Sequence, residues 1–280
     1  MTTLTIAAAQ FAPVDDTEAN LATVTTAARD AAARGADLLV TPEYTSYFTA
    51  DIDDDFVAAA QPLDGPFVSG LREVARETGI ALVVGVAEVS DRPDRFRNTL
   101  VAVDAAGEVR CVYRKVHLYD AFGSRESDRI EPGGAEQLPV FDVDGVRIGL
   151  ETCYDLRFPE VTRRLAAPET GAADLVLVPA EWVRGPGKEH HWHTLLTARA
   201  IENTIWVLGV GQAPPVGIGG SVLLDPSGVA TTALGAAPGL LVGSVDTGVT
   251  DSVRRVNPSL SLRRYDVTTR WDRTRWDRTR

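Results

Sequence analysis

Cysteine is scarce in this chain: 280 residues contain only Cys111 and Cys153. Two cysteines are too few for a disulfide scaffold or a thiolate zinc site. Each is read first as a small buried hydrophobe, with a reactive thiol as the alternative. Long apolar runs are also missing. Ile80 to Val86 is typical, far short of the roughly 20 residues that a membrane-crossing helix needs. The start Met1-Thr2-Thr3 lacks the cationic opening of a signal peptide, so a cytoplasmic location is expected. Positive charge is in deficit, with 28 basic against 39 acidic residues and a net charge of −11. A chain of that sign repels phosphate backbones unless its cations cluster, which argues against a nucleic-acid partner.

Several chemical signatures are absent as well. No Gly-x-x-x-x-Gly-Lys loop or Gly-x-Gly-x-x-Gly fingerprint occurs, which argues against nucleotide chemistry of those kinds. No Gly-x-Ser-x-Gly elbow points to a serine hydrolase. His190 and His193 stand three apart without the carboxylate or cysteine that would complete a metal motif. Asp51, Asp53 and Asp55 alternate as in a calcium loop, but the glycine and final glutamate of that loop are missing, so a solvated helix start is expected. Neither a metal nor an organic cofactor is expected.

What is present describes a globular protein with 44% hydrophobic and 24% charged residues, best read as one large domain. Strand-like and helix-like stretches alternate: Thr3 to Phe11, then a helix over Glu18 to Ala33; Asp37 to Thr41; a helix over Phe67 to Glu77, then Ile80 to Glu88; a helix near Glu160 to Leu165, then Leu175 to Pro179. Hairpins are interleaved, one around Asp104 to Gly107 and one around Asp144-Gly145. Beyond Gly211 the helical signal fades, leaving strands at Ser221 to Leu224 and Leu240 to Val245. This pattern predicts α/β architecture with two mixed sheets covered by helices. The domain is expected to span 1–248. A tail over 249–280 follows, in which Trp271 to Arg275 repeats at once as Trp276 to Arg280; a loose arm or one reaching across a subunit interface is expected.

The chemistry gathers where strands end. Ile148 to Thr152 is an apolar run that stops at Cys153, with a helix starting near Pro159; such ends are where α/β folds place their sites. The N–H of Tyr154 would then face a developing oxyanion. Cys111 sits mid-strand by contrast. A thiol near its ordinary pKa of ~8.5 needs a base or a cation. Glu43 follows the strand Leu38 to Val40, and Lys115 follows the strand Val109 to Tyr113. Arg125, Arg129 and Arg157 are candidates for holding a substrate carboxylate.

Thr41-Pro42-Glu43-Tyr44, Tyr113 to Asp120 and Cys153 to Glu160 together, in that order, resemble the Glu, Lys and Cys motifs of the nitrilase superfamily, the carbon–nitrogen hydrolases. The likeness runs from Ala7 to about Leu241. It implies a four-layer α-β-β-α sandwich, a cysteine nucleophile, and no cofactor. Tyr154-Asp155 stands where true nitrilases carry Trp-Glu, so the chain resembles the amidase branch that includes omega-amidases and deaminated glutathione amidases. By the same match Glu126 is a second active-site glutamate. Tyr44, Glu181 and Trp182, the last two opening the loop that ends at Lys188, join the substrate-binding candidates. The resemblance implies hydrolysis of a small amide by Glu43, Lys115, Cys153 and Glu126, and a homodimer or larger homo-oligomer. N-carbamoyl amino acid hydrolysis and nitrile hydrolysis are the alternatives within the family, and a non-catalytic binding module on the same fold is the alternative outside it. One departure is Gly219-Gly220-Ser221, where related amidases often have Gly-His-Ser.

Overall fold

The fold is seen in a computed structural model that describes residues 2–268. Its strands are apolar on both faces because each face meets a different layer. In β1 (Thr3–Gln10), Leu4, Ile6 and Ala8 point into one core while Ala7 and Ala9 point into another. In β8 (Leu175–Ala180), Leu175 and Leu177 face the first core while Val176 and Val178 face a third. The period of two in a strand assigns alternate side chains to opposite faces.

The first sheet holds β1, β2 (Leu38–Val40), β3 (Ala81–Val89), β4 (Phe96–Val103), β5 (Val109–Arg114) and β12 (Gly239–Asp246). Their order is β12-β1-β2-β3-β4-β5. The second holds β6 (Val140–Val143), β7 (Val146–Leu150), β8, β9 (Trp206–Gly211), β10 (Val222–Leu224) and β11 (Ala230–Ala233), in the order β11-β10-β9-β8-β7-β6. Both are mixed: β1, β2 and β3 run parallel, as do β7, β8 and β9, and the outer strands are antiparallel. The sheets pack face to face through Leu38, Val40, Ile148, Leu208 and their neighbours. Helices α1 (Thr17–Ala33) and α3 (Pro66–Thr78) cover the first sheet, and α4 (Pro159–Ala166) and α5 (Lys188–Asn203) cover the second. The result is the expected α-β-β-α sandwich, with mixed sheets forced by hairpins such as β6–β7, where Asp144 and Gly145 take φ of 47° and 80° in a tight turn.

Short α2 (Asp54–Ala59) starts where the alternating aspartates suggested a helix, with Asp53 Oδ1 accepting the Asp55 N–H at 3.0 Å. Its Phe56 is fully buried and sits among Tyr44, Tyr47 and Phe96. Three elements escaped the sequence reading. β9 is a continuous buried run directly after a helix, without the Gly or Pro that would mark the break. β11 is an exposed edge strand of small residues. The third is α6 (Thr247–Val256), capped by Asp246 Oδ1 on the Gly248 N–H at 2.7 Å, which corrects the reading that helical structure ends before this point. This helix runs across the expected boundary at residue 248, and Val249 packs against the inter-sheet core. The duplicated Trp-Asp-Arg-Thr-Arg repeat lies outside the described residues. Among the described residues no helix is long and apolar enough to cross a membrane.

Glycine is required at one place that bears on the site. A Cβ at Gly85 in β3 would lie 2.7 Å from Pro42 O and 2.8 Å from Tyr44 N, so the loop carrying Glu43 can approach only a bare backbone. Gly85→Ala is expected to lower stability by about 1–3 kcal/mol, the usual range for an inserted methyl with rigid neighbours. Calorimetric melting of the two proteins side by side checks this; an unchanged Tm would show that the loop yields freely.

Candidate active site

The turn after β2 is wound tightly. Thr45 Oγ1 donates to Pro42 O at 2.8 Å, and Tyr44 takes a left-handed φ of 57°. This presses Glu43 inward, where it is 1% exposed. Its Oε1 accepts from Asn98 Nδ2 at 2.6 Å and from Lys115 Nζ at 2.9 Å. Oε2 accepts the Glu181 N–H at 2.7 Å. From the other sheet, Gln212 Nε2 donates to Glu43 O at 2.9 Å.

Lys115 extends β5 by one residue, its N–H donating to Asn98 O at 2.8 Å. The ammonium therefore points along a fixed direction, to Glu43 on one side and to Glu126 Oε1 at 2.9 Å on the other. Glu126 opens a 3-10 turn, Glu126–Asp128. Its Oε1 also accepts from Tyr44 Oη at 2.8 Å, and its Oε2 accepts the Tyr119 N–H at 2.7 Å. Burial alone would lower the pKa of the Lys115 ammonium, but the carboxylates of Glu126 and Glu43 outweigh it and hold it well above the usual lysine range. Burial raises the pKa of Glu126, against the pull of Lys115.

Cys153 opens a second 3-10 turn, Cys153–Arg157, directly after β7. Its φ of 46° is left-handed, a costly conformation for a residue with a Cβ and one found at functional turns. Asp155 holds this turn. Oδ2 accepts the Thr152 N–H at 3.0 Å and the Tyr113 hydroxyl at 2.7 Å, while Oδ1 accepts the His117 N–H at 3.1 Å and meets His117 Nδ1 at 2.7 Å. The His117 ring stacks on Phe158 at 3.7 Å between centroids. Sγ of Cys153 reaches Glu181 O at 3.7 Å. Burial first and the Glu43 carboxylate second push the thiol pKa well up, with Lys115 opposing. The resting group is therefore a thiol, and any nucleophilic step needs a proton acceptor in place.

Above the sulfur lies a cleft of about 290 Å³ lined by Glu126, Tyr154, Arg157, Glu181, Trp182 and Lys188, among others. The Arg157 guanidinium lies 4.9 Å from the Trp182 ring centroid. Lys188 Nζ donates to Tyr119 Oη at 2.7 Å and sits 4.4 Å from the Phe122 ring. The cleft thus combines aromatic walls with two cations over an acidic floor.

Most of the residues singled out in the sequence meet here, with Glu43, Lys115 and Tyr44 buried beneath the cleft and Arg125 and Arg129 outside its lining. Tyr44 is 1% exposed and acts beneath the floor as a donor to Glu126. Arg125 corrects the sequence reading: its side chain is 66% exposed and faces Asp128 at 3.6 Å. Arg129 pairs with Asp54 at 2.9 Å. Both are engaged in ion pairs outside the cleft. On α5, Trp192, Leu196 and Arg199 are buried, while Leu195 is half-buried. Asp155, Asn98 and Lys188 had been given no role. For Asn98 a signal existed, since it is a polar side chain inside the apolar strand β4. Cys111 is half-buried mid-strand, and burial raises its thiol pKa to about 11. Among the described residues no group of three His, Cys, Asp or Glu side chains could hold a metal.

The chain and its fold have counterparts among known proteins. Residues 5–255 match the carbon-nitrogen hydrolase family, and the chain belongs to it. It is 40% identical over 261 residues to a deaminated glutathione amidase of Escherichia coli O157:H7, covering 93% of this chain and 97% of that one. Its fold is similar to the NitFhit protein of C. elegans at a TM-score of 0.85 and 27% identity, covering 95% of this chain and 66% of that longer one. A mutant of the amidase from Nesterenkonia sp. AN1 in complex with butyramide is similar at a TM-score of 0.74 and 32% identity, covering 93% and 97% of the respective chains.

One buried carboxyl near the nucleophile lies outside this group. Glu151, two residues before Cys153, is fully buried, accepts from Thr162 Oγ1 at 2.7 Å through Oε2, and has no partner at Oε1. Burial raises its pKa from 4.5 to about 8. Between those values the unfolded chain releases this proton while the folded chain keeps it, so stability falls as pH rises and levels off above the folded value. Glu151→Gln lacks that penalty. Its stability relative to the parent is expected to improve by roughly 1 kcal/mol per pH unit across that window. Denaturant melts of both proteins at pH values spanning the window test this, and a constant difference would overturn it.

Proposed function

We propose that the chain hydrolyses a small linear amide, of the omega-amide type, to a carboxylic acid and ammonia through a thioester on Cys153. The observation that carries this reading is the Lys115 ammonium held between Glu43 and Glu126 at the floor of the cleft that contains the thiol. That arrangement supplies a base, a cation for a developing oxyanion and a nucleophile at one point. The butyramide held by the related amidase is itself a linear amide.

In the first half-reaction Glu43 takes the Sγ proton as sulfur bonds to the amide carbonyl carbon. The negative charge moves to the carbonyl oxygen, where Lys115 and the Tyr154 N–H stabilise it. Collapse of this tetrahedral species breaks the C–N bond, and Glu43 returns the proton to the departing nitrogen, which leaves as ammonia. In the second half, Glu43 takes a proton from water as the water oxygen adds to the thioester. The C–S bond then breaks as Glu43 gives that proton to the departing sulfur, the acid leaves, and thiol and carboxylate are both restored. Glu126 keeps Lys115 charged and aimed. Arg157 offers a guanidinium to a carboxylate at the far end of the acyl chain. A thiol whose proton is retained at rest suits this scheme, because proton removal is coupled to attack and does not depend on a standing thiolate.

Rapid-quench mass spectrometry of the enzyme mixed with the monoamide of a short oxo-dicarboxylic acid is expected to show an acyl adduct on the Cys153 peptide. Cys153→Ala should form no adduct and lose at least about a thousandfold in ammonia release while keeping its Tm. Cys111→Ala should release ammonia at the parental rate. Ammonia production that survives in Cys153→Ala would refute the nucleophile assignment.

A further inference from the structure

Glu181 has a position that the mechanism above does not use. It follows β8 directly, and its main chain is fixed at both reacting groups: the N–H donates to Glu43 Oε2 at 2.7 Å, and the carbonyl faces Cys153 Sγ at 3.7 Å. Its side chain therefore starts within one residue of the sulfur, and it lines the cleft. Oε1 has no solvent exposure and no hydrogen-bond partner. The nearby cation Lys188 is engaged elsewhere, donating to Tyr119 Oη. A buried polar atom left without a partner lowers stability unless another molecule completes it, and such groups concentrate at binding sites.

Resting on the amidase reading, we propose that Glu181 is a specificity-determining residue whose carboxyl hydrogen-bonds an oxygen substituent on the acyl chain, selecting hydroxy- or oxo-substituted amides over their hydrocarbon isosteres. Burial, reinforced by the carboxylates of Glu43 and Glu126, pushes its pKa well up, so the group enters the complex as a neutral acid. A neutral carboxyl both donates and accepts. It can pair with a hydroxyl or an oxo group without adding a third negative charge to the floor, whereas a methyl in the same place would leave Oε1 unpaired. A site built to hydrogen-bond its substrate discriminates strongly against an analogue that lacks the group.

The test compares isosteric pairs, lactamide against isobutyramide and hydracrylamide against butyramide, by kcat/KM for ammonia release. The parent enzyme should prefer the hydroxylated member of at least one pair by about tenfold. Glu181→Leu and Glu181→Ala should each abolish that preference, chiefly by reducing turnover of the hydroxylated amide, while Glu181→Gln, which keeps a donor and an acceptor, should retain it to within about threefold. A parent enzyme indifferent to the hydroxyl overturns the inference even if no variant folds, and so do variants that slow both members of a pair equally. These outcomes leave the amidase reading standing. Absence of turnover and of any Cys153 adduct with every amide would instead overturn that reading and this inference with it.

Discussion

An ammonium group with no exposed surface must be neutralised where it sits, because the interior of a protein solvates charge poorly. In this chain that group is Lys115, and its two partners, Glu43 and Glu126, come from different parts of the sequence. Removing either carboxylate would leave a buried cation half-compensated, and removing the lysine would leave two carboxylates facing each other. The surrounding contacts follow from this constraint. Asn98 and the Glu181 N–H complete Glu43, while Tyr44 and the Tyr119 N–H complete Glu126. With one cation between two carboxylates, the floor carries an excess of negative charge. Burial, with that excess, is why the Cys153 thiol holds its proton.

The packing of the two sheets sets the distances within this group. Glu43, Asn98 and Lys115 extend from the first sheet; Cys153 and Glu181 extend from the second. Hydrogen bonds that cross between them at the site include Glu181 N–H to Glu43, Gln212 to Glu43 O, and Tyr113 to Asp155. Beneath these bonds lies the inter-sheet core of Leu38, Val40, Ile148, Leu208 and their neighbours. A core at near-crystalline density changes its spacing only at a cost, so the separation between Glu43 and Cys153 is held by apolar side chains outside the cleft. The strained Cys153 turn is tolerated for the same reason: Asp155, itself fixed by Tyr113 and His117, holds it from three sides.

The cleft lies above this rigid floor. Arg157 and Lys188 lie against aromatic rings, which keeps their charge at defined positions over the acidic groups beneath. Phe122, 73% exposed, packs beside both cations.

The sequence by itself determined the layers of this protein. The period of two in strands such as β1 and β8, the period of helices such as α1 and α3, and the turn residues at Asp144-Gly145 are local signals, and local signals survive in one dimension. Three strand ends bearing Glu43, Lys115 and Cys153 were legible for the same reason. Only the tertiary structure could decide which polar groups share an electrostatic environment, since that depends on which strand ends meet across two sheets. It made Asp155 and Asn98 supports of the site, turned Arg125 out to Asp128, and moved Tyr44 beneath the floor. It also separated the two cysteines by their surroundings, with Cys111 inside a strand and Cys153 over a buried lysine and its two carboxylates. Composition could count those thiols, but a thiol's chemistry depends on the charges and dielectric around it, which the chain acquires only on folding.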